Sequence, residues 1–421
     1  MKKKLLALLT AFSVLLGVSA CAAPAEPPAI ASETLAVKAI PDLPEDFILG
    51  MDVSTVLSEE ESGVKYYDFA GTETDLFRLL RDCGITHVRV RVWNDPYDDE
   101  GHGYGGGNCS PERAVEIGRR AAAYGLKLIV DFHYSDFWAD PGKQTVPKAW
   151  QGMDFGEKTK AVGEFTRETL RKFASAGAEV AMVQVGNEIN GFLCGETGWE
   201  HIQALLQAGA EAVREVSPEA LVAVHFSNPE RSGAYQDYAK RLDEYGVDYD
   251  VFATSYYPIW HGTLENLSAV LSGIANRYGK KVIVMETSYA YTADDSDFFA
   301  NTVGADSAAP YPFSVQGQAD AVRDVIDTTA HVPGGIGVVC WEGAWISVGG
   351  ASWEENRTLW ERYGSGWATG YAASYNPEDA GRYYGGCAVD NQAFFDPGGR
   401  PLESLKLFSL LRSGNGVGSD P

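Results

Sequence analysis

From about residue 46 to residue 412 the chain alternates short apolar runs with longer stretches whose apolar residues recur at helical spacing. Eight runs stand out: Phe47–Val53, Thr86–Val92, Lys127–Phe132, Glu179–Val185, Leu221–Phe226, Tyr249–Ser255, Lys281–Met285 and Gly335–Cys340. Each is short and bounded by turn residues, and most are β-branched, as strands buried on both faces require. Amphipathic segments such as Thr74–Cys83, Pro111–Tyr124 and Gly156–Ala176 fill the gaps. Ser110 before Pro111 reads as a helix N-cap with proline at the first helical position. Eight such repeats predict an α/β fold, a (β/α)8 barrel, as one domain over residues 45–412 with long loops after the strands. The alternative, a doubly wound sheet, should carry a Gly-rich turn after its first strand, and none follows Gly50-Met51-Asp52-Val53.

The two ends depart from this rhythm. Lys2-Lys3-Lys4, an apolar run from Leu5 to Val18 and the small residues Ser19-Ala20 describe a secretory leader over residues 1–20, too short and wrongly flanked to span a membrane. Val18-Ser19-Ala20-Cys21 resembles a bacterial lipobox, which implies a lipid on Cys21 and an extracellular protein anchored to the cell envelope. Residues 21–44, rich in Ala, Pro and Glu, read as a tether without a packed core, and residues 413–421 as a flexible tail. Past the leader no apolar stretch approaches the length of a span, so the lipid is the only hold on a membrane that the sequence offers. The cysteines beyond Cys21 show no C-x-x-C spacing, which argues against a zinc knuckle or redox motif.

Composition narrows the partner. The 58 acidic against 34 basic residues give a net charge of −24, which excludes nucleic acid and an anionic membrane surface as natural partners. Aromatic residues make up 12% of the chain, with 10 Trp and 21 Tyr, and flat rings suit the apolar faces of sugars.

A barrel also places its reactive side chains at the C-terminal ends of the strands. The fourth run ends in Gln184-Val185-Gly186-Asn187-Glu188 and the seventh in Val284-Met285-Glu286-Thr287. Two carboxylates delivered to one mouth are what a retaining glycosidase needs: one protonates the leaving oxygen, and the other attacks the anomeric carbon from ~5–5.5 Å away. Asp52 ends the first run, Arg89 and Arg91 share one face of the second, His133 follows the third, Tyr256 and Tyr257 end the sixth, and Trp341 ends the eighth. An arginine beside a carboxylate holds it ionised, a tyrosine can hydrogen-bond it, and a tryptophan offers a floor to a sugar ring.

From about Gly50 to Leu411 the chain resembles glycoside hydrolase family 53, the arabinogalactan endo-β-1,4-galactanases. The resemblance rests on Gly50-Met51-Asp52-Val53-Ser54, Arg89-Val90-Arg91-Val92-Trp93 and the long run Asp131-Phe132-His133-Tyr134-Ser135-Asp136-Phe137-Trp138-Ala139-Asp140-Pro141. It continues through Gly186-Asn187-Glu188, Ser255-Tyr256-Tyr257-Pro258, Glu286-Thr287-Ser288-Tyr289 and Trp341-Glu342. It implies Glu188 as acid/base, Glu286 as nucleophile and Asn187 on the sugar 2-hydroxyl, with β-1,4-galactan of pectic side chains as the polysaccharide substrate. Arg89 or Arg91, His133, and Tyr256 or Tyr257 would position the carboxylates, and Trp93, Trp138 and Trp345 are candidate sugar platforms. Another barrel glycosidase, a β-mannanase or endoglucanase, would share the two glutamates. A glycan-binding lipoprotein without turnover would not need both. A monomer is expected.

Asp295, Asp297 and Asn301 are spaced so that their oxygens can converge on one hard cation. Bacterial members of the resembled family bind calcium here, with a further Ser-x-x-Asp near the C-terminus, matched by Cys387-Ala388-Val389-Asp390. Cys387 stands for the Ser and Phe299 for a usual His, which leaves Asp295, Asp297, Asn301 and Asp390 as side-chain ligands of a structural Ca2+.

Overall fold

The computed structural model describes residues 34–350, 352–382 and 385–415, so the leader, Cys21 and residues 416–421 lie outside the described residues. Each of the eight apolar runs forms one strand: β1 (Ile48–Asp52), β2 (His87–Val92), β3 (Lys127–Phe132), β4 (Val180–Val185), β5 (Leu221–Phe226), β6 (Val251–Ser255), β7 (Lys281–Thr287) and β8 (Gly335–Cys340). Every neighbouring pair is parallel, and β8 pairs with β1 to close the barrel. Helices α1 (Leu76–Asp82), α2 (Pro111–Ala123), α3 (Phe155–Ser175), α4 (Trp199–Val216), α5 (Ala234–Glu244), α6 (Leu264–Tyr278) and α7 (Val315–Ala330) return the chain between strands. The Ser110 hydroxyl caps α2 by accepting from the Arg113 N–H, and Asp154 with Glu157 closes a capping box on α3.

Alternation along the strands sorts the side chains into two layers. In β2, Val88, Val90 and Val92 join the core shared with the helices, leaving Arg89 and Arg91 on the barrel-facing positions. The lower interior is apolar, filled by residues such as Ile48, Ile129, Met182, Ala223, Val251, Ile283 and Val339. The bore is tight. A Cβ on Gly337 would sit 2.4 Å from that of Ile48, so glycine lets β8 approach β1.

One irregularity decides the chemistry. In β7, Ile283 and Met285 belong to the barrel interior, and Val282 and Val284 to the outer core. Strict alternation would send Glu286 outward. The pairing with β6 runs Thr254 to Val284 and then Ser255 to Glu286, so β7 carries one extra residue. This bulge turns Glu286 back into the barrel.

Residues 34–44 correct the expected tether. Leu35, Val37, Ile40 and Leu43 are buried in the main core. Gln316 exchanges two 2.8 Å hydrogen bonds with the backbone of Ala36, Arg323 donates to the Lys38 carbonyl, and Ile40 N–H donates to Leu411 O. Asn415, inside the expected tail, accepts from Val37 N–H at 2.8 Å. The domain therefore includes residues 35–43 and Asn415. The Pro- and Glu-rich composition of the preceding residues masked the alternating Leu35 and Val37. The five cysteines in the domain are buried and unbridged. A chain starting at Pro44 is expected to melt roughly 5 °C or more below one starting at Thr34 in a thermal denaturation scan, because four apolar side chains lose their burial.

Candidate active site

Arg89 is the centre of the polar layer. It is fully buried, and its guanidinium reaches three carboxylates at 2.9 Å: Asp52 Oδ2, Asp131 Oδ2 and Glu286 Oε1. The same group donates to Gln184 Oε1 and Asn187 Oδ1, both at 3.1 Å. Glu286 is held from its other side by the Tyr257 hydroxyl, which donates to Oε2 at 2.9 Å. Burial raises the Glu286 carboxyl above its ordinary value, while the Arg89 charge and the Tyr257 hydrogen bond oppose that rise.

Glu188 has no such cation among the described residues. Its Oε1 accepts from Ser255 Oγ at 2.6 Å. Burial, then the Glu286 charge, push its carboxyl up to about 8 against the pull of the Ser255 hydrogen bond. Two carboxylates of one mouth thus sit in opposite surroundings, the condition for one to act as acid and the other as nucleophile. The backbone aims Glu188. Gly186 adopts φ +86°, where a Cβ would press to 2.6 Å from Ile189, and Glu188 follows with φ +44°. Tyr134 and Glu342 take similar left-handed angles just past β3 and β8, so three strand ends store this strain around the mouth.

The cleft above these residues has a volume of about 720 Å³ including its open mouth, and is lined by Arg91, His133, Trp138, Asn187, Glu188, Tyr257, Glu286 and Trp341, among others. His133 Nδ1 accepts from the Trp93 ring N–H at 3.0 Å and from Ala139 N–H at 3.1 Å. The ring proton therefore sits on Nε2, which donates to Asp131 Oδ2 at 3.0 Å. Burial acts to raise Asp131, but the Arg89 charge and the hydrogen bond from His133 outweigh it and leave Asp131 below the usual range. Asn187 is fixed by Arg89 at its oxygen and by the Ala139 carbonyl, 2.9 Å from its nitrogen.

Several expected substrate contacts lie elsewhere. Asp52 and Arg89 are fully buried beneath the cleft and reach it through the residues they hold, Glu286, Asn187 and Arg91. Arg91 lines the cleft, paired with Glu342 and packed 4.4 Å over the Trp138 ring. Tyr256 faces the helices and donates to the Gly262 carbonyl, since Ser255 and Tyr257 take the inward positions. Trp93 and Trp345 are fully buried, their ring nitrogens bonded to His133 and to the Ser365 carbonyl. They brace Trp138, with ring centroids 5.1 Å and 6.3 Å away.

Several contributors escaped the sequence reading. Trp367 stacks 4.6 Å from Trp138, and Trp260, 47% exposed, stands at the rim beside Tyr257. Neither sits on a strand, so periodicity carries no mark of them. Gln184, His225 and Ser255 do carry one: each is a polar residue at an inward position of an otherwise apolar strand, the mark that singles out Arg89 and Arg91.

The loop after β7 meets the C-terminal segment at a second cluster. Carboxylate oxygens of Asp295, Asp297 and Asp390 lie within 4.8 Å of one another. Asn301 joins them through a 2.8 Å bond to Asp390, and its own buried Oδ1 has no hydrogen-bond partner among the described residues. Burial and then the Asp390 charge push Asp297 up to about 8, and burial pushes Asp390 up to about 6. Cys387 and Phe299 both donate backbone N–H groups to Asp297, at 2.7 and 2.8 Å. All four expected side-chain ligands are therefore adjacent, and their crowded oxygens suit a hard cation.

Comparison with known proteins agrees with this geometry. Residues 48–408 match the model of glycosyl hydrolase family 53. The chain is 53% identical over 387 residues to the endo-β-1,4-galactanase of Bacillus subtilis (strain 168), covering 91% of this chain and 90% of that protein. It is 34% identical to an arabinogalactan endo-β-1,4-galactanase of Cellvibrio japonicus (strain Ueda107), over 76% of this chain and 85% of that one. The solved catalytic domain of a family 53 enzyme from Ignisphaera aggregans superposes with a TM-score of 0.80 at 38% identity, covering 90% of this chain and all of that one. The chain belongs to glycosyl hydrolase family 53.

Proposed function

We propose that the protein is an endo-β-1,4-galactanase that cleaves unbranched stretches of β-1,4-galactan by double displacement, with Glu286 as nucleophile and Glu188 as acid/base. The observation that carries this reading is the asymmetry between the two carboxyls. Glu286 has a guanidinium and a phenol to hold it as an anion, and Glu188 has burial and the Glu286 charge to keep its proton. The substrate class rests on the relatives named above. In the first half-reaction a Glu286 oxygen bonds to the anomeric carbon as the glycosidic C–O bond breaks, and Glu188 gives its proton to the leaving oxygen. In the second, Glu188 takes a proton from water, whose oxygen displaces Glu286 with net retention. Asn187, locked by Arg89 and Ala139, is set beside Glu188 to meet the 2-hydroxyl. Trp138, Trp341, Trp367 and the rim residue Trp260 give sugar rings their flat contacts. The surplus of acidic residues favours a neutral polymer over an anionic one.

The acidic cluster is read as a structural calcium site, held by Asp295, Asp297, Asn301 and Asp390. The ion would neutralise their repulsion and tie the loop after β7 to the C-terminal segment. Cys21, outside the described residues, is read as the lipidated first residue of an envelope-anchored, extracellular enzyme, with no other membrane contact and no partner subunit required. Among the described residues no helix is long and apolar enough to cross a membrane.

Reducing-end release should be seen from β-1,4-galactan and not from β-mannan or cellulose, and Glu286→Ala should lower it by roughly three orders of magnitude or more. The pH profile of kcat/KM should be a bell. Its alkaline limb lies near pH 8, where Glu188 loses the proton it must donate, and its acid limb lies above the ordinary carboxylate range, where Glu286 becomes protonated. Activity on mannan or cellulose alone would overturn the substrate and keep the mechanism. Removal of calcium by a chelator should lower the melting temperature by several degrees, and calcium but not magnesium should restore it; no change would refute the site. Cys21→Ala should move the enzyme from the membrane pellet to the medium, and retention in the pellet would refute the anchor.

A further inference from the structure

Behind Glu188 runs a line of polar groups that the chemistry above leaves unused. Ser255, fully buried at the end of β6, places Oγ 2.6 Å from Glu188 Oε1. His225 of β5, also fully buried, places Nε2 2.9 Å from that Oγ. Its Nδ1 lies 3.0 Å from Gln184 Nε2, which is also 2.9 Å from Asn187 Oδ1.

The far end of this line is fixed by Arg89. Arg89 offers only N–H donors, and its guanidinium faces Gln184 Oε1, so the Gln184 amide must present its NH2 group to the other side. One of those hydrogens goes to Asp131 Oδ1 at 2.6 Å. The second faces Asn187 Oδ1 and His225 Nδ1, which lie 2.9 Å from each other. In either tautomer the neutral ring lies against Ser255 Oγ through Nε2, and the anionic Glu188 draws the serine hydroxyl to Oε1. His225 stays neutral because burial, and then the Arg89 charge, hold its ring well below the ordinary histidine range.

We infer that Ser255, braced by His225 and Gln184, is a positioning residue of the acid/base glutamate: its hydroxyl fixes the carboxyl through Oε1 and stabilises the carboxylate left once the proton has gone to the glycosidic oxygen. The inference rests on Glu188 being the acid/base. No proton travels along the line. The Glu188 proton passes to the leaving oxygen in the first half-reaction and returns from water in the second, and Ser255 donates to Oε1 while Glu188 is an anion. As Glu188 becomes an anion the same hydrogen bond becomes charge-assisted and strengthens, which favours proton delivery. Arg89 connects the start of this line to Glu286, so one buried network orients both carboxyls. The other titratable groups whose charge reaches Glu188 are Glu286, Asp140, Tyr235 and Tyr257, and the Ser227 hydroxyl also bonds it.

Ser255→Ala tests the assignment on two substrates: galactan, whose leaving group needs protonation, and a dinitrophenyl β-1,4-galactobioside, whose leaving group does not. The variant should lose roughly ten-fold or more in kcat/KM on galactan and no more than about two-fold on the aryl substrate. Its alkaline limb should move to higher pH, because a bond that favours the carboxylate is gone. Ser255→Cys, of similar size and with a weaker donor, should fall between, and both variants should keep a wild-type melting temperature within a few degrees. In a Glu188→Ala background, Ser255→Ala should cost nothing further on the aryl substrate. Equal losses on both substrates with an unmoved alkaline limb, or a full additional loss in the Glu188→Ala background, would overturn the assignment. Failure of Glu188→Ala itself to impair galactan cleavage would instead overturn the acid/base role on which it rests.

Discussion

A guanidinium sealed inside a protein must be surrounded by anions, because the cost of removing an unpaired charge from water exceeds what any single fold can offset. Arg89 is that charge here, and Asp52, Asp131 and Glu286 are its counter-ions. The rest of the mouth follows. Asp52 is shared with Arg91, 3.6 Å away, and Arg91 pairs with Glu342 and packs over Trp138. Asp131 receives the His133 ring, whose other nitrogen is filled by Trp93 and by the Ala139 N–H, next to Trp138. A residue that never touches the cleft thus sets the positions of those that do. The anions outnumber the cations, and the imbalance shows at Glu342, which burial pushes up to about 7 although Arg91 opposes it.

The backbone makes its own contribution at the same level of the barrel. Eight parallel strands bring their ends to one rim, but regular alternation alone would leave Glu286 among the helices and Glu188 beyond its strand. A bulge in β7 reverses the first, and a glycine turn with a left-handed Glu188 directs the second. Both are local departures costing of order 1–3 kcal/mol each, tolerated because the apolar lower barrel and its helical jacket over-determine the fold. Stability is concentrated below and strain above, the usual division of labour in a barrel enzyme.

Much of this was legible without coordinates, for reasons that can be named. The strand runs were visible because parallel strands are buried on both faces and must be apolar throughout, so each Arg, Gln or His within them stands out against its neighbours. Glu188 and Glu286 were visible because they sit at run ends. Tyr256 and Tyr257 were not separable by type, and only the inward position of Ser255 assigns the second to Glu286. Trp93 and Trp345 resemble sugar platforms in composition and serve as packing beneath Trp138, which lines the cleft. Residues 34–44 read as tether because their apolar side chains are few and their partners, Gln316, Leu411 and Asn415, lie far along the chain.

The sequence by itself determined the architecture, the mouth and the two glutamates, because strand burial and period-two alternation are properties of neighbouring residues. The tertiary structure alone decided which arginine holds Glu286, which aromatic rings face the cleft, and how one extra residue in β7 re-aims a carboxylate. Those outcomes depend on register between strands and on contacts across hundreds of residues, where free energy is set by burial and charge pairing in three dimensions rather than by order along the chain.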